Sequence, residues 1–127
     1  MHPNIDVLRA IDAAIARGDI EAFFACYTDD VVVHVPGRNW RSGVYRGKAE
    51  LRALFDRIGQ TADEFTFDNH AYLADDEHGV VLQRSHYAVG GKRLDTDEVY
   101  VMHFRDGTVS ELWATAADQA GLDALIG

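Results

Sequence analysis

The chain has 127 residues, 47% of them hydrophobic and 26% charged, the usage of folded globular proteins rather than of disordered or collagen-like chains. That length supports one hydrophobic core, and a second would leave both marginal. Lys and Arg total 12 against 21 Asp and Glu, a formal net charge of −9, which repels phosphate backbones and anionic lipid surfaces, so neither nucleic acid nor a membrane is expected as a partner.

No apolar run approaches the roughly 20 residues of a membrane helix. Met1-His2-Pro3-Asn4 shows neither the basic nor the apolar segment of a signal peptide. Cys26 has no second cysteine to pair with, in keeping with a reducing compartment. The expectation is a single cytoplasmic domain over residues 1–127.

Ile5 to Arg17 carries Val7, Leu8, Ile11, Ala14 and Ile15, the spacing of one buried helical stripe. Asn4 is the expected cap and Gly18 the stop. Asp19 then caps a second helix, Ile20 to Tyr27, with Glu21 in its first turn. Val31-Val32-Val33-His34-Val35, ended by Pro36-Gly37, predicts a strand buried on both faces. Arg38 to Gly47 is polar and glycine-broken and reads as a loop. Lys48 to Ile58 restores helical spacing through Leu51, Leu54, Phe55 and Ile58, with Gly59 just beyond.

From Phe65 the period changes to two, predicting four strands: one around Phe65 and Phe67, one around Val80-Val81-Leu82, one around Val99 and Val101, and one from Thr108 to Thr115. Gly90-Gly91 and Asp106-Gly107 mark hairpins, and Asp75-Asp76-Glu77-His78-Gly79 marks another boundary. Asp118 can cap a terminal helix holding Leu122, Leu125 and Ile126. The order is ααβαββββα, an α+β domain with helices covering one face of a curved, cone-shaped antiparallel sheet around a cavity. No internal repeat or linker divides the chain.

Gly18-Asp19 before Phe23-Phe24 and Tyr27, then Asp29-Asp30-Val31-Val32, Pro36-Gly37 and Tyr45-Arg46-Gly47, resemble the N-terminal half of SnoaL-like proteins in the nuclear transport factor 2-like superfamily. Phe104-Arg105-Asp106-Gly107-Thr108-Val109, Glu111-Leu112-Trp113 and Asp118-Gln119 are similar to its closing strands and tail. The resemblance implies a cystatin-type α+β barrel and a homodimer through the outer sheet face. It also implies a small apolar ligand between sheet and helices, with no cofactor. The superfamily holds ketosteroid isomerase, polyketide cyclases, epoxide hydrolases and non-enzymatic modules, so fold leaves the chemistry open.

Ketosteroid isomerase pairs a carboxylate base with acidic donors to the enolate oxygen. The resemblance places Val35 where that base would stand and Tyr100 where a protonated aspartic acid donates. Tyr100 is therefore a candidate oxyanion donor, and equally a core tyrosine whose hydroxyl finds a partner. His34 is a candidate base; if Val35 faces the cavity, His34 points away and is structural. Asp118 resembles the acid that SnoaL-type cyclases use near the chain end, and also fits a helix cap.

Gln83, Ser85 and Tyr87 share one face of their strand and Arg84 and His86 the other. Matching Gly91 to the family hairpin turns the first three toward the cavity and leaves the second pair outside. Trp40 and Trp113 are large enough to close over an apolar guest or to pack in the core. Tyr27, Val35, Phe55, Met102 and Leu112 complete the expected lining. Cys26 reads as a small buried hydrophobe, and the histidines lack the spacing of a metal site. Two functions stay open: a cofactor-free isomerase, cyclase or hydrolase acting on a polyketide- or steroid-like compound, and a non-catalytic ligand-binding or dimerisation module.

Overall fold

A computed structural model describes residues 2–127. The first helix, α1 (Pro3–Arg17), sets its apolar stripe of Leu8, Ile11 and Ala14 into the core. Its cap is His2, not Asn4: the His2 imidazole accepts from the Asn4 amide at 3.0 Å. Asn4 is buried instead, its side-chain amide donating to the carbonyls of Asp75 and Asp76 at 3.0 and 3.3 Å. Asp19 caps α2 (Ile20–Ala25) through the Ala22 amide at 3.1 Å. This helix stops before Cys26, and the strand β1 (Tyr27–Val35) begins at once, four residues earlier than its β-branched run suggests.

The segment read as a loop contains a short strand, β2 (Gly43–Arg46), paired antiparallel to β1. Helix α3 (Gly47–Gly59) takes in both flanking glycines. Three long strands follow, β3 (Glu64–Ala74), β4 (His78–Val89) and β5 (Lys92–Arg105), then β6 (Thr108–Ala116) and α4 (Gln119–Ile126). The β4–β5 and β5–β6 turns each have two central residues at positive φ, Gly90 and Gly91 at 57° and 81°, Asp106 and Gly107 at 53° and 77°. That is the twist-matched type I′ hairpin geometry, where glycine avoids the Cβ penalty.

The six strands form one curved, unclosed sheet in the order β2-β1-β6-β5-β4-β3. It is mixed rather than wholly antiparallel, because β1 and β6 pair in parallel. Helices α1, α2 and α3 bring Leu8, Ile11, Phe23, Phe24, Leu51 and Leu54 against Val31, Val33, Val81, Met102, Phe104 and Val109 of the inner sheet face. A fully buried side chain of this kind contributes about 1.5–3 kcal/mol. Truncating one, as in Leu8→Ala, costs about 2–5 kcal/mol because a cavity is left behind.

Alternation breaks in β3, as it does where β6 meets β5 and β1. Register between β3 and β4 shifts between Asn69 and Ala71, leaving His70 as an extra residue. Such a bulge re-aims the side chains beyond it. Here it turns Asn69 and Tyr72, three residues apart, toward the same helix. Among the described residues no helix is long and apolar enough to cross a membrane.

Candidate functional site

Between the inner sheet face and the helices lies a cavity of about 530 Å³, within the range of about 300–1,000 Å³ common to small-molecule sites. Its wall is mainly aliphatic and aromatic, with Ile11, Phe23, Leu54, Phe55, Val81 and Met102 among the contributors. Strand register sets a polar row across that wall: Asn69 on β3 lies opposite Gln83 on β4, which lies opposite Glu98 on β5.

Glu98 is 5% exposed and faces the cavity. One of its carboxylate oxygens, Oε1, accepts from the Tyr87 hydroxyl at 2.5 Å; the other, Oε2, accepts from Tyr100 at 3.4 Å. Gln83 donates through Nε2 to the Tyr100 oxygen at 3.3 Å and to Ser85 Oγ at 2.8 Å. The contacts differ in strength: 2.5 Å is a tight charge-assisted bond, whereas 3.4 Å is nearly open. Desolvation, reinforced by the Glu98 charge, pushes both tyrosine hydroxyls far above the usual phenol range. Each therefore stays a proton donor at neutral pH.

On the opposite wall, α1 supplies Asp12. Its Oδ2 accepts from Asn69 Nδ2 at 2.7 Å and from the Tyr72 hydroxyl. Burial and Asp12 together push the Tyr72 hydroxyl upward, and the Arg9 guanidinium stacks 4.9 Å from its ring. Arg41, among the described residues the one cation lining the cavity, is held by Asp63 at 2.8 Å.

Of the residues expected from the sequence, Tyr27, Val35, Phe55, Gln83, Tyr87, Met102, Leu112 and Tyr100 line this cavity. Others do not reach it. His34 is on the opposite face of β1 from Val35, bonded to Glu111 at 2.7 Å and stacked on Trp113 at 5.0 Å. Strand alternation thus removes both His34 and Trp113 from the cavity. Trp40 packs between the guanidinium groups of Arg41 and Arg57, 5.0 and 4.3 Å from its ring. Ser85 is fully buried behind Gln83 and supports it rather than a guest. Asp118 is an exposed cap of α4, accepting from the Gly121 amide at 2.9 Å. The candidate base and acid of the sequence reading, His34 and Asp118, therefore lie outside the cavity. Arg84 and His86 sit on the outer face, against Asp97, Asp95 and Asp68.

Glu98 and Asp12 are the carboxylates that sequence reasoning missed. Glu98 shares the alternation phase of Tyr100 and Met102, so strand parity from Tyr100 was the available signal. Asp12 lies between Ile11 and the core-facing Ala14, at the edge of the apolar stripe, where a solvated position is the ordinary reading.

A curved sheet wrapped by N-terminal helices around an apolar cavity with a few convergent polar groups defines a class of α+β proteins by its fold. Residues 7–112 match the model of the SnoaL-like domain, and the chain belongs to that family. An uncharacterized protein of Mycobacterium tuberculosis is 28% identical over 123 residues, covering 95% of this chain and 94% of its own. Bal32a, from a soil-derived mobile gene cassette, superposes with a TM-score of 0.90 at 27% identity, over 98% of this chain and 97% of that one. An epoxide hydrolase of the LEH-like type from M. tuberculosis has a TM-score of 0.73 at 18% identity, over 96% and 90% of the two chains. That last likeness is one of fold alone.

Proposed function

We propose that the chain binds a small, largely apolar carbonyl compound of polyketide- or steroid-like character and shifts a proton on it without a cofactor. One observation carries this reading: the Glu98 carboxylate, buried at the cavity wall, is held by two tyrosine hydroxyls. Tyr87 occupies Oε1 and orients the carboxylate. Oε2, at 3.4 Å from Tyr100, is the oxygen free to work. It takes a proton from the carbon beside the carbonyl. The C–H electron pair becomes a C=C bond, and the carbonyl π pair moves onto oxygen. Tyr100, released from its long bond to Glu98 and still supported by Gln83, donates to that oxygen. Where the compound carries a C=C one bond beyond that carbon, the oxyanion pair re-forms the carbonyl and the enolate C=C shifts to the adjacent bond. The far carbon of the original C=C takes the proton back from Glu98 with its π pair, completing an isomerisation. Donors preset in a water-poor site stabilise developing charge more than water would.

The test is hydrogen–deuterium exchange at the α-carbon of cyclic ketones such as 2-tetralone, followed by NMR. Glu98→Gln is expected to lower the protein-catalysed rate at least ~100-fold, the usual scale of a general base. An unchanged rate in that variant, or no acceleration over buffer by the wild type across the ketone panel, counts against proton transfer and leaves a binding module.

We propose further that a second copy of the chain covers the outer sheet face. Leu73, Val80, Val101, Trp113 and His34 stand in register as one row across five strands on that face. Leu73 is 54% exposed in the single chain. The same face carries both His34–Glu111 and Arg84–Asp97 pairs, so two copies related by a two-fold axis present matching apolar and charged groups. Val101→Glu is expected to yield a monomer in sedimentation; a wild type that sediments as a monomer excludes the pairing.

A further inference from the structure

The cavity has a second polar station that the proton-transfer reading does not use. Asp12 faces it from α1 while Glu98 faces it from β5. Both donors to Asp12, Asn69 and Tyr72, converge on the single oxygen Oδ2. Among the described residues nothing donates to Oδ1. The arrangement is built rather than incidental. Residues 69 and 72 of a regular strand point to opposite faces, and the His70 bulge brings both to one carboxylate. The bond to Asp12 also fixes the Asn69 amide, so its Oδ1 is a second acceptor, buried and without a partner. An acceptor in that state costs about 1–3 kcal/mol until a donor reaches it.

We propose that Asp12 Oδ1 binds a hydrogen-bond donor, a hydroxyl or amine, at the far end of the ligand whose carbonyl meets Tyr100. Asn69 and Glu98 are separated by two strand spacings, about 10 Å. The ligand class is therefore a two-ring apolar skeleton with a carbonyl at one end and a donor at the other. Both stations are carboxylates or groups bonded to them, Asp19 adds a third acid to the lining, and Arg41 is neutralised by Asp63. Anionic ligands are disfavoured in such a field.

This rests on the site assignment of the preceding section, so the experiment separates the two. Three probes of one skeleton, 2-acetylnaphthalene and its 6-hydroxy and 6-methoxy derivatives, are titrated calorimetrically at pH 7. The wild type is expected to bind the hydroxy probe ~10-fold tighter than the methoxy one, the size of one hydrogen bond to a charged group. Asp12→Ala is expected to abolish that preference while leaving 2-acetylnaphthalene unchanged. Asp12→Asn, nearly isosteric, gives the same readout should the alanine variant not fold. A preference that survives either substitution, or equal affinities in the wild type, overturns the Asp12 assignment while leaving ketone exchange by Glu98 standing. Loss of exchange in Glu98→Gln with the hydroxy preference intact supports both. Failure of all three probes to bind overturns the donor proposal together with the carbonyl reading.

Discussion

Removing one hydroxyl, in Tyr87→Phe, tests whether the Glu98 network is coupled as its distances imply. The variant keeps the ring, packed 4.9 Å from Phe65, and deletes the 2.5 Å donor to Glu98 Oε1. A buried charged acceptor left without its donor costs about 1–3 kcal/mol. In the Glu98→Leu background the same hydroxyl has no acceptor to lose, and deleting it is neutral or stabilising. The cycle of two single variants and the double should thus show a coupling of about 2 kcal/mol. Unfolding entropy of about 2.1 cal/mol/K per residue gives about 0.27 kcal/mol/K for a chain of 127 residues. A 2 kcal/mol loss then lowers Tm by about 7 °C. Urea unfolding by circular dichroism at pH 7, with equal m-values across the set, measures the four stabilities. Additive single and double variants, with coupling under about 0.5 kcal/mol, refute the network.

Three further outcomes follow from groups outside the cavity. His86 is held by Asp95 at 2.7 Å and Asp68 at 3.3 Å, with Arg84 on the same strand, and these acids raise its pKa above the ordinary 6.5. The raised value means that its contribution is full below pH 6.5 and is lost as pH rises through the folded-state value; the Tm gap between wild type and His86→Gln should shrink from pH 5.5 to about pH 8. Asp118→Ala should destabilise by about 1 kcal/mol through the lost cap, and His34→Ala should leave ketone exchange at the wild-type rate; a large loss of exchange in either variant would return that residue to the catalytic list.

Much of the fold was legible because its signals are local. The Leu8, Ile11 and Ala14 part of the α1 stripe, the Asp19 and Asp118 caps and both glycine-containing hairpins depend on neighbours a few residues away and appear where the spacing puts them, whereas Ile15, expected in that stripe, is 44% exposed at the helix end. What escaped depends on distant chain. Asn4 spaces like a cap, yet a turn over 70 residues downstream draws it inward. Gly43–Arg46 is a strand only because β1 offers an edge. In the site, Val35 sets the parity that turns His34 away from the cavity, and Tyr100 sets the parity that turns Glu98 toward it, a relation of residues two apart that period-two alternation carries. Asp12 was beyond reach of pattern reading, since its role depends on a bulge that period-two alternation does not reveal.

The parallel pairing of β1 with β6 also bears on how the chain is made. Val33 lies opposite Leu112, a separation of 112 − 33, or 79 residues, whereas β3 to β6 close through successive hairpins. Loop closure over that span must be met before its contacts form, which slows folding relative to local pairings. The three-valine run of β1 thus waits, unpaired on its β6 side, until β6 has left the ribosome. During synthesis it is the segment most exposed to misassociation with other nascent chains, and the short β2 strand shields only its other edge.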